Sequence, residues 1–172
     1  VSLDDAQSLL GPTEALLVYT IAEKSTFLWI VRRDQAEMHE IRGLTRDRIS
    51  DAVAEIRSGL DPTGQVLQTV DDIPAFDTAE AHALYDKLFS PAEPLLDGAR
   101  HVIVIADGAL QSIPLGVLVT EYPRFPVADL ADYRRVPWLA KKYAITVLPS
   151  VSSLRALRHF AKRTTATKPF LG

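Results

Sequence analysis

Cysteine is absent from the 172 residues, which excludes disulfides, thiolate metal sites and a cysteine nucleophile from this sequence. Asparagine is also absent, so there is no N-glycosylation acceptor. No apolar run reaches the roughly 18 residues of a membrane-spanning helix, and no signal peptide opens the chain. With a net charge of −3, these absences predict a cytoplasmic protein that binds neither membranes nor nucleic acid.

The charge that is present is unevenly distributed. Residues 1–132 hold 10 Lys and Arg against 22 Asp and Glu, whereas residues 133–172 hold 9 Lys and Arg and no acidic residue. This basic end is either a solvated face or a surface for acidic groups. Those groups could come from sequence not present here, from a partner or from the chain's own front half. The only methionine is Met38, and residues 169–172 (PFLG) read as the start of a strand. We therefore expect the chain to be part of a longer protein.

The first half of the sequence predicts a β-meander followed by helices. Residues 16–22 (LLVYTIA), 26–31 (TFLWIV) and 36–41 (AEMHEI) are β-rich and separated by short polar turns. Apolar spacing predicts a helix capped by Thr45, with an inward stripe that extends to Leu60. A second helix begins at Asp77, and a capping pattern at Ser90 predicts a short third one.

The second half predicts a parallel sheet between helices. Residues 101–106 (HVIVIA) form a continuous aliphatic run, which is typical of a strand covered on both faces. Residues 143–148 are a second buried-strand candidate. Residues 151–162 predict a helix capped by Ser150, with Leu154, Leu157 and Ala161 inward. The predicted fold class is therefore α/β, an incomplete sandwich preceded by the antiparallel meander.

Few residues belong to a recognisable catalytic or metal-binding motif. The sequence His39-Glu40 begins like a zinc-protease motif, but Gly43 stands where the second histidine is required, so no metal site is predicted. His82 is expected to be exposed, and His101 to have a structural role at a strand edge. Ser112 has no evident base beside it. No catalytic residue and no cofactor are predicted.

Asp107 and Gly108 are the best candidates for a binding edge. They follow the first buried strand, and open α/β sheets bind ligands at the carboxyl ends of their strands. A tight turn that uses the backbone freedom of glycine explains the same two residues without any ligand.

Three segments of the sequence resemble a known protein family. Residues 99–118 (ARHVIVIADGALQSIPLGVL) are similar to the opening strand and turn of CHAT domains, which are caspase- and separase-related cysteine peptidases often found after tetratricopeptide repeats. Residues 138–154 (WLAKKYAITVLPSVSSL) resemble the next block of that family, and residues 169–172 resemble the strand after it. The meander at residues 9–41 and the helices up to Leu96 resemble the N-terminal part of such domains.

The resemblance implies a division at residue 98. Residues 1–98 would hold the meander and helices of the CHAT region, and residues 99–172 the first strands and helix of a caspase-like sheet. The family's catalytic histidine precedes a glycine, and its catalytic cysteine ends a later strand. No position here matches either motif, so the resemblance implies a scaffold that is inert alone.

The implied partners are the C-terminal half of the same domain, a protein substrate or regulator, and upstream repeats of a bacterial protein. Asp107, Gly108 and Ser112 would lie at the edge of the substrate cleft. The basic residues expected to form an interaction surface are Arg155, Arg158, Lys162 and Arg163. Two alternatives remain open: a non-catalytic pseudo-peptidase or interaction module, and a small-ligand-binding α/β domain.

Overall fold

The computed structural model describes residues 1–61, 68–69, 72–73, 75–125, 127 and 129–160. The strands are β1 (Glu14–Ile21), β2 (Ser25–Val31), β3 (Ala36–Arg42), β4 (His101–Ile105) and β5 (Ala144–Leu148). The α-helices are α1 (Leu3–Ser8), α2 (Arg46–Ser58), α3 (Thr78–Leu88), α4 (Glu93–Leu96), α5 (Leu139–Lys142) and α6 (Val151–Phe160). Short 3-10 helices lie at Ser90–Ala92, Gly108–Ser112, Leu115–Val117 and Asp132–Arg134.

The five strands form one mixed sheet in the order β3-β2-β1-β4-β5. Strands β1, β2 and β3 pair antiparallel, which confirms the predicted meander. Strand β4 lies between β1 and β5 and is parallel to both. The predicted α/β class is confirmed. Strands from both sides of residue 98 share this sheet, and the domain division at that residue stays a prediction.

Helices cover both faces of the sheet. Alternate residues of a strand point to opposite faces, and in β1 Leu17 and Tyr19 join the core formed with α2 and α3. Leu16 lies on the other face, with Ala6 of α1 and Leu154 of α6. The inward stripe of α3 is confirmed, since Ala81, Leu84, Tyr85 and Leu88 are all buried. In the stripe predicted for α2, however, Leu60 is exposed.

Three of the four predicted helix caps are confirmed. The Thr45 side chain accepts a hydrogen bond from the Arg48 N–H, and Asp77 accepts from the N–H groups of Ala79 and Glu80. The Ser150 hydroxyl accepts from the Ser153 N–H at 3.1 Å, at the start of α6. The cap predicted at Ser90 is wrong, because its hydroxyl bonds the Asp86 carboxylate on the preceding turn of chain, at 3.1 Å.

The prediction that β5 is a buried strand is wrong. Ala144 and Val147 are exposed, whereas residues 102–105 of β4 are buried as expected. The reason is position: β4 has a neighbour on each side, and β5 ends the sheet within the residues that the structure describes.

Helix α6 differs from its prediction for the same reason. Leu154 is buried as expected, but Leu157 is 55% exposed because no further strand extends beneath it in the described part of the chain. Ala161, Lys162 and the strand predicted at residues 169–172 lie outside the described residues.

Candidate functional site

The carboxyl ends of β1, β4 and β5 meet at one edge of the sheet, because the three strands are parallel. Val18, Ile105 and Leu148 stand in one register row there. Asp107 follows β4 directly, so the candidate binding residues lie at the edge where α/β sheets hold ligands.

The turn at this edge is held by its own polar groups. The Asp107 carboxylate accepts a hydrogen bond from the Gly108 N–H at 2.7 Å. Gly108 has a φ of +59°, a left-handed conformation that only glycine adopts without cost. The Ser112 hydroxyl donates to the Ala109 carbonyl at 2.7 Å, so its proton is not directed to a base. Asp107 itself is exposed.

Helix α2 lies beside the turn and contacts it near both ends. These contacts were not predicted from the sequence. Arg46 donates to the Ile21 carbonyl at 3.3 Å, and its guanidinium lies 3.4 Å from where a Cβ on Gly108 would stand. Arg57 donates to the Ser112 carbonyl at 3.2 Å. Their spacing of eleven residues is just over three full helical turns. This spacing indicates that both side chains lie on the same face of α2.

Beside Arg46 lies a small polar cavity. It measures about 290 Å³ and is lined by Glu23, Thr45, Arg46 and Asp47. The cavity lies between the turn after β1 and the start of α2, at the same edge of the sheet as Asp107. Two cations and several exposed carboxylates therefore surround the candidate edge.

The basic residues of α6 are partly engaged within the chain. The Arg158 guanidinium donates to both carboxylate oxygens of Glu14, each at 2.6 Å. The hydrogen bonds with Ser2 are the main cause of the lowered pKa of Asp5, and the positive charge of Arg155 adds a smaller effect in the same direction. The acidic front half of the chain thus supplies groups for the basic end. Lys162 and Arg163 lie outside the described residues.

Glu14 connects α6 to the amino ends of the strands. Burial opposes its ionisation, but hydrogen bonds from the Gly11 N–H, Arg158 and His101 outweigh burial and hold the pKa of Glu14 below its ordinary value. His101 also bonds the Thr146 hydroxyl at 2.8 Å. The structural role predicted for His101 is therefore confirmed.

His82 differs from its prediction. Its ring is mostly buried and contacts the Val119 carbonyl through Nδ1 at 2.9 Å. The carbonyl belongs to a distant loop, which the helical spacing of α3 could not indicate.

Two larger cavities are apolar. One, of about 580 Å³, lies beside the aromatic rings of Phe76, Tyr133 and Trp138. The other, of about 720 Å³, is a groove between β5 and α6, with Leu148, Leu157 and Phe160 among its lining residues. We call this second cavity the β5–α6 groove.

Within the described residues there is neither a membrane-spanning helix nor a metal-binding cluster. These residues hold no helix that is both long and apolar enough to cross a membrane. They also hold no cluster of three or more His, Asp or Glu side chains that could bind a metal ion.

Comparison with known proteins gives a family match and two weak structural similarities. The family model of the CHAT domain matches residues 78–169. An Alp12 filament structure has a TM-score of 0.35 at 8% identity, over 89% of this chain and 49% of that one. A PilM–PilN type IV pilus biogenesis complex has a TM-score of 0.29 at 16% identity, over 91% and 47%. This chain spans about half the length of each of those two chains. No curated protein matches the chain.

Proposed function

The chain belongs to the CHAT domain family, and from this premise we propose that it forms the N-terminal scaffold of a CHAT-type cysteine endopeptidase that acts on proteins. The observation that carries the proposal is the extent of the family match, from α3 through β4 and β5 to residue 169. That stretch contains the parallel strands β4 and β5 and the turn that follows β4.

The scaffold is inert alone, because the catalytic pair implied by the resemblance is missing from it. The chain has no cysteine, and its four histidines are followed by Glu, Ala, Val and Phe rather than glycine. In the complete domain, a downstream histidine would act as the base and a cysteine thiolate would attack the peptide carbonyl. Backbone N–H groups would stabilise the oxyanion.

The contribution of this chain would be the position of the cleft. In a caspase-like sandwich, the carboxyl edge of the parallel strands carries the catalytic pair. Asp107, Gly108 and Ser112 would line that edge, with Arg46 and Arg57 of α2 holding their turn in place. The exposed Asp107 carboxylate would then face the substrate chain.

The proposed partners are the C-terminal half of the same domain and a protein substrate or regulator, with tetratricopeptide repeats upstream in a bacterial, cytoplasmic protein. Arg155, Arg158, Lys162 and Arg163 would form a surface for acidic groups. Because Arg158 already pairs with Glu14, Arg155 is the described residue of this group best placed to meet an external acid.

The test compares this chain with the longer protein that contains it. The longer protein should cleave a peptide library and lose that activity on treatment with iodoacetamide, whereas the 172-residue chain should cleave nothing. Alkylation of a thiol can occur only in the added sequence, since this chain has no cysteine. Replacing the strand-end cysteine by alanine should abolish cleavage in the same way.

A different result would favour the interaction-module alternative. If the added sequence lacks the His-Gly and cysteine motifs, or if cleavage resists iodoacetamide, the cysteine-peptidase proposal is wrong. A thermal-shift screen with nucleotides and metal ions tests the small-ligand alternative, for which a concentration-dependent rise in melting temperature is required.

A further inference from the structure

The cavity beside Trp138 is apolar on nearly all of its lining. It measures about 580 Å³, and small-molecule sites in proteins occupy roughly 300–1,000 Å³. Among the described residues that line it, Lys141 alone carries a charge. We call this space the Trp138 cavity. Its walls come from the end of α2, from Ile73 and Phe76, from the 3-10 helix Leu115–Val117, and from residues 130–141.

The aromatic rings of the cavity direct their polar atoms to the chain itself. The Trp138 indole N–H donates to the Tyr133 carbonyl at 2.8 Å, and the Tyr133 hydroxyl accepts from the Phe76 N–H at 2.7 Å. The Phe76 and Trp138 rings meet edge to face, with their centroids 5.5 Å apart. The rings therefore offer a ligand mainly their apolar surfaces.

The one charged lining group is also engaged. The Lys141 ammonium donates to the carbonyls of Arg134 and Val136, at 2.6 and 2.8 Å. An anionic ligand in the cavity would compete with these two bonds, and it would lose its hydration without gaining a full partner. The lining therefore favours a neutral ligand over a charged one.

Contacts between the wall segments keep the cavity in shape. The Leu139 N–H donates to the Leu118 carbonyl at 2.7 Å, which joins α5 to the chain just after the 3-10 helix. Gly116 approaches α5 so closely that a Cβ at this position would stand 3.1 Å from the Ala140 Cβ. Because these walls are already ordered, a ligand would not pay the entropy of ordering them.

Three aliphatic side chains of the lining are exposed to water. They are Leu60 at the end of α2, Ile73 and Leu130. Exposed apolar residues that gather around one concave space mark ligand or partner sites. A ligand that covers them removes apolar surface from water, which is the favourable term in binding.

We propose that the Trp138 cavity binds a small neutral molecule with an aromatic ring system. Its rings would pack on those of Phe76, Tyr133 and Trp138, since offset and edge-to-face aromatic pairs are favourable. Neither Asp107 nor Ser112 lines this cavity, so the proposal concerns a second site and does not depend on peptidase activity.

The two tryptophans of the chain give the test an internal control. Trp138 lines the cavity, whereas Trp29 is exposed on β2 and does not line it. Trp29→Phe assigns the two indole N–H signals in ¹H–¹⁵N spectra of the 172-residue chain. Titration with 1-naphthol at pH 7 should shift the Trp138 signal saturably, with a dissociation constant below about 1 mM. The Trp29 signal should move little.

1-Naphthoate, an anion of similar size and shape, tests the chemistry of the site. Its carboxylate would be desolvated in an apolar space where Lys141 already donates to two carbonyls. It should therefore bind at least about tenfold more weakly than 1-naphthol.

Ala140→Phe should fill the cavity and weaken 1-naphthol binding at least about tenfold. Ala140 is exposed, so the larger side chain can be accommodated without repacking the core. Ala54→Phe is the matched control, because Ala54 is an exposed alanine of α2 that does not line the cavity, and its affinity should stay within about twofold. Leu130→Asp, also at an exposed position, should weaken binding at least about threefold. Thermal melts establish that each variant is folded.

Several results would overturn the proposal. They are no saturable shift of the Trp138 signal, equal shifts of both indole signals, naphthoate binding as tight as naphthol binding, or unchanged affinity in the folded cavity variants. An affinity for 1-naphthol that falls as protein concentration rises would also overturn it, because a second copy would then occupy the cavity.

Discussion

At the scale of single residues, Glu14 joins parts of the chain that are far apart in sequence. Its carboxylate accepts from the Gly11 N–H, from His101 and from Arg158, which is 144 residues away. Only 15% of its side chain is exposed, so these charge-assisted bonds are poorly screened by solvent and contribute to stability.

Glu14→Gln should lower the free energy of unfolding by about 1–2 kcal/mol near neutral pH, because a neutral amide bonds Arg158 and His101 less strongly. The pKa of Glu14 is lowered in the fold, so the stabilisation is present above the unfolded pKa and is lost as pH falls through the folded pKa. Urea unfolding near pH 7 and at about pH 3.5 measures the change, and the difference between the two proteins should shrink at the lower pH.

Glu40→Gln is the control, since Glu40 pairs with Arg42 on the exposed face of β3. Its effect should stay below about 0.5 kcal/mol. A Glu14→Gln difference that is independent of pH would contradict the assigned role of the carboxylate.

At the scale of secondary-structure elements, Arg32 fastens the short helix α4. A helix of four residues is not stable alone, and its last carbonyls need donors. Arg32, just after β2, donates to the carbonyls of Leu95 and Asp97 at 2.7 and 2.9 Å, and to the Pro12 carbonyl at 3.2 Å. One side chain thus joins β2, α4 and the loop before β1.

Arg32→Ala should destabilise the protein by roughly 1–3 kcal/mol, because it leaves three carbonyls without this donor. The neighbouring Arg33 is exposed, and Arg33→Ala should change stability by less than about 0.5 kcal/mol. Midpoints of guanidinium unfolding at an unchanged m-value measure both effects. Equal midpoints for the two variants would show that the Arg32 contacts do not stabilise the fold.

Most elements could be predicted from local pattern. β-Rich runs separated by short polar turns indicated β1 to β3, and the apolar run at residues 102–105 indicated a covered strand. The Ser90 cap failed because a nearby carboxylate, Asp86, competes for the hydroxyl. The role of Arg32 could not be predicted, because its three acceptors lie 20 to 65 residues away.

At the scale of the whole molecule, burial decreases from the centre of the sheet to its edges. Ile103 on β4 is 1% exposed and lies in register between Leu16 and Thr146. Met38, on the edge strand β3, is 48% exposed. The contribution of a side chain to the free energy of unfolding should therefore be larger on the interior strands than on the edge strands.

Ile103→Ala should therefore cost about 2–4 kcal/mol, since it removes buried methyl groups and leaves a cavity. Met38→Ala should cost less than about 1 kcal/mol, because much of its surface already contacts water. Thermal or urea unfolding of both variants compares them. Similar losses at the two positions would be inconsistent with β4 as an interior strand and β3 as an edge strand of the sheet.

The sequence predicted which residues lie at the candidate site, but it did not predict the contacts that hold them in place. The placement of Asp107 and Gly108 after a buried strand followed from the sequence, because the end of an apolar run and a Gly turn are local features. The contacts of Arg46 and Arg57 with this edge did not follow from the sequence. Their eleven-residue spacing indicates only that both lie on one face of α2.

Local sequence patterns are sufficient to predict the strands β1 to β4, most of the helical stripes, the Thr45, Asp77 and Ser150 caps and the lack of a cysteine nucleophile in this chain. Each depends on residues within a few positions of one another. The tertiary structure alone decided that β4 inserts beside β1, that Glu14 meets Arg158, and that β5 ends the described sheet with its apolar side chains uncovered. Those outcomes depend on the long-range pairing of strands, which is set by burial of the whole core and leaves no local pattern in the chain.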